Sequence, residues 1–135
     1  MDLVTWSQAL SVGITRIDDQ HKRFIKLLNS TNALVKAKKN KKMAKKLPEL
    51  LDFARVHFST EEEIFEKYNY PYAKEHLLEH LKLTEKAMSF YDRAKKGEDI
   101  GEELMLFLKD WLENHLKTHD FKYAKYFKEN KIKVE

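Results

Sequence analysis

The chemistry-bearing residues of this chain are histidines and two carboxylates. Of six histidines, five (His21, His57, His76, His80 and His115) fall on apolar stripes of helical period. Glu61 falls there too, and Asp120 follows just past the fourth stripe. Core positions are normally apolar, because a buried polar group without a partner costs roughly 1–3 kcal/mol. One buried histidine is ordinarily a hydrogen-bonded core residue. Five of them, with a glutamate, cannot easily satisfy one another by hydrogen bonds alone, whereas metal ions satisfy them all.

The spacings support a shared centre. His57 and Glu61 are four apart, as are His76 and His80, so each pair faces one way on its helix. His115 and Asp120 are five apart, which in a regular helix turns the second residue about 140° from the first. Asp120 therefore requires a distorted helix end or a π-type bulge to join the others. His119 lies off the stripe and reads as exposed. Seven donors exceed the four of a tetrahedral zinc. Imidazole with carboxylate suits iron, and also manganese, and helical bundles often hold two-metal sites. Five imidazoles, two bridging carboxylates and a bridging oxygen would leave one position of an octahedral pair vacant for a small ligand.

The elements that position these residues follow from the same stripes. The first helix begins near Asp18 as N-cap and turns inward Ile17, His21, Phe24, Ile25, Leu28, Thr31 and Val35. The second spans about 42–68 with Pro48 near its start, and the third about 71–96 with Gly97 as C-terminal cap. The fourth starts near Asp99, and a short helical segment follows over 120–130. Residues 1–17 form an arm with apolar anchors such as Leu3, Trp6 and Val12. Short connections make the helices antiparallel neighbours, which predicts an all-α, up-down-up-down four-helix bundle occupying residues 1–135 as a single domain. In that topology His21, the His57–Glu61 and His76–His80 pairs and His115 meet at one end.

Composition agrees and excludes alternatives. The chain has 135 residues with only 3 glycines and 2 prolines, few for a turn-rich β fold. No cysteine is present, so disulfides, thiolate metal sites and cysteine nucleophiles are excluded. No apolar run approaches the roughly 20 residues of a membrane helix. Residues 1–8 do not read as a secretory signal, so the cytoplasm is the expected compartment. The net charge of +4 is modest. Its one dense patch, Lys36 to Lys46 with seven lysines, reads as a solvated turn and helix start, and neither a nucleic-acid nor a membrane partner is expected.

The run Ile17-Asp18-Asp19-Gln20-His21, then His57-Phe58 with Glu61, His76 with His80, and Trp111-Leu112 with His115, Asp120 and Tyr123 resembles the hemerythrin family over nearly the whole chain. Trp6 and Val12-Gly13-Ile14 match the N-terminal arm of its single-domain bacterial members. The resemblance implies a non-haem, oxo- or hydroxo-bridged pair of iron ions that binds O2 reversibly, for storage, delivery or sensing. By that analogy His76, His80 and His115 hold one iron, and His21 and His57 hold the other, which keeps the vacancy. Glu61 and Asp120 bridge the two. Phe24, Leu28, Phe58, Trp111, Leu112 and Leu116 lie within about two turns of these residues on the same stripes and are expected to line the O2 pocket. Tyr123 reads as a hydrogen-bond donor behind the ligands, or as packing alone. The competing reading is a di-iron enzyme that reduces peroxide or NO or oxidises Fe(II). The third is a structural bundle using the lysine patch. The charged outer faces favour a monomer.

Overall fold

The computed structural model describes residues 2–134, and among these no strand occurs. Helices α1 (Thr15–Lys36), α2 (Asn40–Lys67), α3 (Ala73–Lys95) and α4 (Gly101–His115) form the antiparallel up-down-up-down bundle. A π-helical turn, Leu116–Asp120, joins α4 to the short α5 (Phe121–Glu129). No helix among the described residues is long and apolar enough to cross a membrane.

Every residue on the inward stripe of α1 is buried, from Ile17 to Val35. Opposite them lie Met43, Leu47 and Leu50 of α2, Phe90 of α3, and Leu104, Met105 and Leu108 of α4. This apolar half of the core occupies the end of the bundle away from the histidines. Four helix ends use the same device, those of α1 (at Lys38, φ 57°) and α5 (at Lys131, φ 53°) among them. After α2 the chain turns at Asn69 (φ 52°) and the Tyr70 N–H reaches the Phe65 carbonyl at 2.9 Å. After α3 it turns at Gly97 (φ 89°) and the Glu98 N–H reaches the Arg93 carbonyl at 3.1 Å. All are left-handed caps closing carbonyls that the helix leaves open.

Three boundaries differ from expectation. Helix α1 starts at Thr15, one turn before Asp18, and its N-cap residue is Ile14. The Asp18 carboxylate instead accepts hydrogen bonds from the Ser11 hydroxyl and from the Val12 N–H (2.9 Å), tying the arm to the first turn. Helix α2 starts at Asn40, so Pro48 lies inside it and the helix runs through the missing N–H. Helix α3 starts at Ala73, and Pro71 stays in the turn before it. Leu77, four residues after Ala73 on α3 and so at the spacing of a core position, is 37% exposed. It stands at the lip of an apolar groove of about 520 Å³ between α2 and α3, whose floor includes Leu104 and Leu108.

A second side chain clamps the beginning of the arm. Asn29 accepts from the Leu3 N–H (2.8 Å) and the Val4 N–H (3.1 Å) and donates to the Val4 carbonyl (2.7 Å). Three bonds at about 1 kcal/mol each, partly recovered by water, give an expected loss of about 2 kcal/mol for Asn29→Ala. Urea unfolding of the metal-free protein measures it, and a loss below about 0.5 kcal/mol would show that the arm is held otherwise.

Candidate metal centre

Each main helix delivers its donors to one layer. His21 comes from the second turn of α1, His57 and Glu61 from the C-terminal half of α2, His76 and His80 from the start of α3, and His115 from the end of α4. Asp120 closes the π turn. All seven side chains are buried. Asp120 Oδ1 lies 3.1 Å from His115 Nε2 and 3.3 Å from His76 Nε2, while its Oδ2 lies 3.4 Å from His21 Nε2. Glu61 Oε1 lies 3.0 Å from His80 Nε2, 3.4 Å from His76 Nε2 and 3.5 Å from His57 Nε2. The donor atoms fall into two sets, each within 4.8 Å: Glu61, His76, His80 and His115, and His21, His57, Glu61 and Asp120.

The five-residue spacing that places Asp120 off the face of a regular helix is resolved by the π turn, which closes i to i+5. The turn amounts to one extra residue in an α-helix, and it returns both Asp120 and α5 to the inward side.

The layer is not satisfied by hydrogen bonding. Among the described residues, nine buried polar atoms lack a hydrogen-bond partner: His21 Nδ1, His76 Nε2, His80 Nε2, both nitrogens of His115, both oxygens of Glu61, Asp120 Oδ1 and the Tyr123 hydroxyl. Native interiors leave few such atoms. All of them belong to the seven donors or to Tyr123, and a nitrogen and oxygen set without sulfur fits iron or manganese.

The imidazoles are held from behind. The Thr60 hydroxyl donates to the Val56 carbonyl (3.0 Å), so it accepts from Gln20 Nε2 (3.1 Å). That fixes the Gln20 amide with Oε1 toward His57 Nδ1 at 2.6 Å. His57 therefore carries its proton on Nδ1 and turns the Nε2 lone pair into the layer. His80 Nδ1 faces Glu62 at 3.4 Å. The Phe58 ring stacks on His80 at 3.8 Å, and Trp111 stacks on His115 at 4.5 Å. Sequence reasoning assigned no role to Gln20 or Glu62. Both lie off the apolar stripes; the signals were adjacency to His21 and Glu61 and, for Gln20, its place in the run that carries the resemblance. Tyr123 packs its ring 5.6 Å from His76. His119 stays partly exposed, with Nε2 3.8 Å from Glu79.

A cavity of about 20 Å³ adjoins His21 and His57. His115 and Asp120 complete its polar wall, and Phe24, Ala54, Phe58, Trp111 and Leu112 form the rest. Leu28 and Leu116, expected around it, do not line it and are fully buried elsewhere in the core. Ala54, one turn before His57 on α2, takes a lining position that was not among those expected.

Electrostatics tie the layer together. Burial and Asp120 both oppose ionisation of Glu61, yet His57, His76 and His80 outweigh them and hold its carboxyl below the usual range. Burial likewise opposes ionisation of Asp120, and His115, His21 and His76 hold it well below. Burial opposes a charge on His76, but Asp120 and Glu61 push it up to about 9. Burial lowers His57 to about 4. Burial, with Glu61 and Asp120 nearby, raises the Tyr123 phenol, which stays protonated as a donor.

The profile of the hemerythrin HHE cation-binding domain matches residues 12–127. A bacteriohemerythrin of Stenotrophomonas maltophilia is 33% identical over 124 residues, covering 92% of this chain and 81% of that protein. A hemerythrin-like protein of Naegleria gruberi is 33% identical over 118 residues, covering 87% and 88%. The crystal structure of a wild-type hemerythrin superposes with a TM-score of 0.86 at 27% identity, covering 91% of this chain and 96% of that one.

Two outcomes are expected. Deleting Thr118, exposed within the π turn, should leave an α-helix with His115 and Asp120 four apart, still on one face. Iron content should stay near that of the parent, whereas Asp120→Ala should lose most of it. Loss of iron on deletion would mean that the π geometry itself is required. Second, a group at about 9 is protonated at pH 7, so metal must displace the His76 proton. Fe(II) loading at pH 7 should release protons, and apparent affinity should rise with pH toward about 9. Anaerobic calorimetry in two buffers of different ionisation enthalpy checks this, and equal heats in both would refute it.

Proposed function

The chain belongs to the hemerythrin family, and on that premise we propose that it binds O2 reversibly at two non-haem iron ions, as a carrier, store or sensor rather than an enzyme. His76, His80 and His115 hold one iron, and His21 and His57 hold the other. Glu61 and Asp120 span the pair. The two overlapping donor sets support this division. So does Asp120, with one oxygen toward His115 and His76 and the other toward His21. The iron pair, when bound, supplies two electrons to O2 and recovers them on release.

The observation that carries the reading is the cavity. It adjoins the two-histidine side, and about 20 Å³ is little more than the room one water-sized sphere needs. That room suits a diatomic ligand. Apart from the four donors, every lining side chain is aromatic or aliphatic. Phe24, Phe58, Trp111 and Leu112 thus exclude water, and no side chain outside the donor set can pass a proton to a molecule held there. That favours release of O2 over its reduction. The same reading takes the chain as a monomeric, single-domain protein of the cytoplasm, although the groove between α2 and α3 leaves an apolar strip exposed.

The test is optical. The iron-loaded protein is reduced without air, exposed to O2 and purged with inert gas while its visible spectrum is followed. A charge-transfer band that appears and disappears over several cycles, with two irons per chain and one O2 per pair, is the expected result. Irreversible conversion to a ferric spectrum in the first cycle would overturn reversible binding. Turnover of peroxide or NO with a reductant would establish the enzyme.

A further inference from the structure

We propose that the turn between α1 and α2 is a docking surface for an anionic lipid bilayer, to which the bundle attaches end-on. Residues 36–46 hold seven lysines and no acidic residue. The net charge of +4 is therefore +7 at this end and −3 over the rest of the chain. Lys36, Lys38, Lys39, Lys41, Lys42 and Lys45 are exposed. Among the described residues, the only ion pair made by the seven is Lys46 with Glu49 at 3.5 Å. The first turn of α2 carries no acidic side chain and no side-chain cap, so its free N–H groups add to the positive potential.

The chemistry favours a bilayer over nucleic acid. The patch contains no arginine to read base edges and no aromatic ring to stack on bases. It sits at one end of the bundle, at the turn between two helices. Such an end meets only a few phosphates of a rod-like duplex, whereas a flat fluid bilayer can gather its anionic headgroups beneath the exposed lysines. Clusters of four to eight basic residues recognise anionic lipid in this way, each contributing on the order of fivefold to partitioning. No apolar side chain need insert, so the attachment is electrostatic and reversible by salt. The seventeen helical steps from Asn40 to His57 then hold the histidine layer about 25 Å above the lipid.

The test is co-sedimentation of the iron-loaded protein with vesicles of 30% phosphatidylglycerol in phosphatidylcholine, against pure phosphatidylcholine. Binding is expected to the anionic vesicles alone, at low salt and not at 0.5 M salt. Joint substitution of Lys38, Lys39, Lys41 and Lys42 by Gln should weaken it more than a hundredfold. The same change at Lys125, Lys128, Lys131 and Lys133, which alters net charge equally, should weaken it less than tenfold. Equal losses in the two variants, absence of binding, or tighter binding to a DNA duplex at the same salt would each overturn the proposal. All substitutions lie on the surface, and an unchanged helical circular-dichroism spectrum verifies the fold. The result is independent of whether O2 binds.

Discussion

Two carboxylates and five imidazoles share one dry layer, and their charge must be balanced there. Carboxylates removed from water persist as anions only beside positive charge, and in the metal-free protein protons on imidazoles provide it, as the raised His76 and depressed Glu61 record. Cations of the right size replace those protons and also engage the atoms that hydrogen bonding leaves open. The rest of the architecture separates this demand from folding. The half of the core built from Leu28, Leu47, Leu50, Leu104 and Leu108 is apolar and stabilises the bundle by burial alone. The other half is thereby free to hold groups that oppose folding until they are occupied.

Holding seven donors within reach of one another is not enough, since an imidazole that rotates presents the wrong nitrogen. The structure removes that freedom from two directions. Hydrogen bonds act in the ring plane, as the Thr60–Gln20–His57 relay does by fixing which nitrogen carries the proton. Aromatic faces act across the plane, as Phe58 does on His80 and Trp111 on His115. The same two aromatic residues form part of the cavity wall, so one packing arrangement orients ligands and keeps water out.

Periodicity made most of this legible. Every stripe residue of α1 is buried, with Asn32 in addition, and the four-residue pairs on α2 and α3 point inward together. The His115–Asp120 interval, odd for a helix, was itself the signal of the π turn. What escaped was set by contacts between distant segments. Asp18 looked like an N-cap because aspartate suits that role, but the arm folding back through Ser11 and Val12 claimed its carboxylate. Leu77 has the spacing of a core residue, yet the groove between α2 and α3 leaves it at the lip. Leu28 and Leu116 share stripes with the histidines, but a stripe gives a face and not which neighbour that face meets. Gln20 stands in the run that carries the resemblance, but its contact with His57 could not be read, because polar residues outside the stripe look like solvent-facing ones until a partner helix is placed beside them.

The stack of Trp111 on His115, with rings 15° from parallel, has a consequence in light emission. An excited indole in van der Waals contact with a ring that coordinates an open-shell ion loses its energy to that ion before it can radiate. Trp6, the other tryptophan of the chain, lies in the arm against Lys22 and makes no ring contact with a histidine among the described residues. The molecule thus carries one fluorophore wired to the centre and one outside it. Filling or emptying of the layer is written in the ratio of their emissions, with no label added.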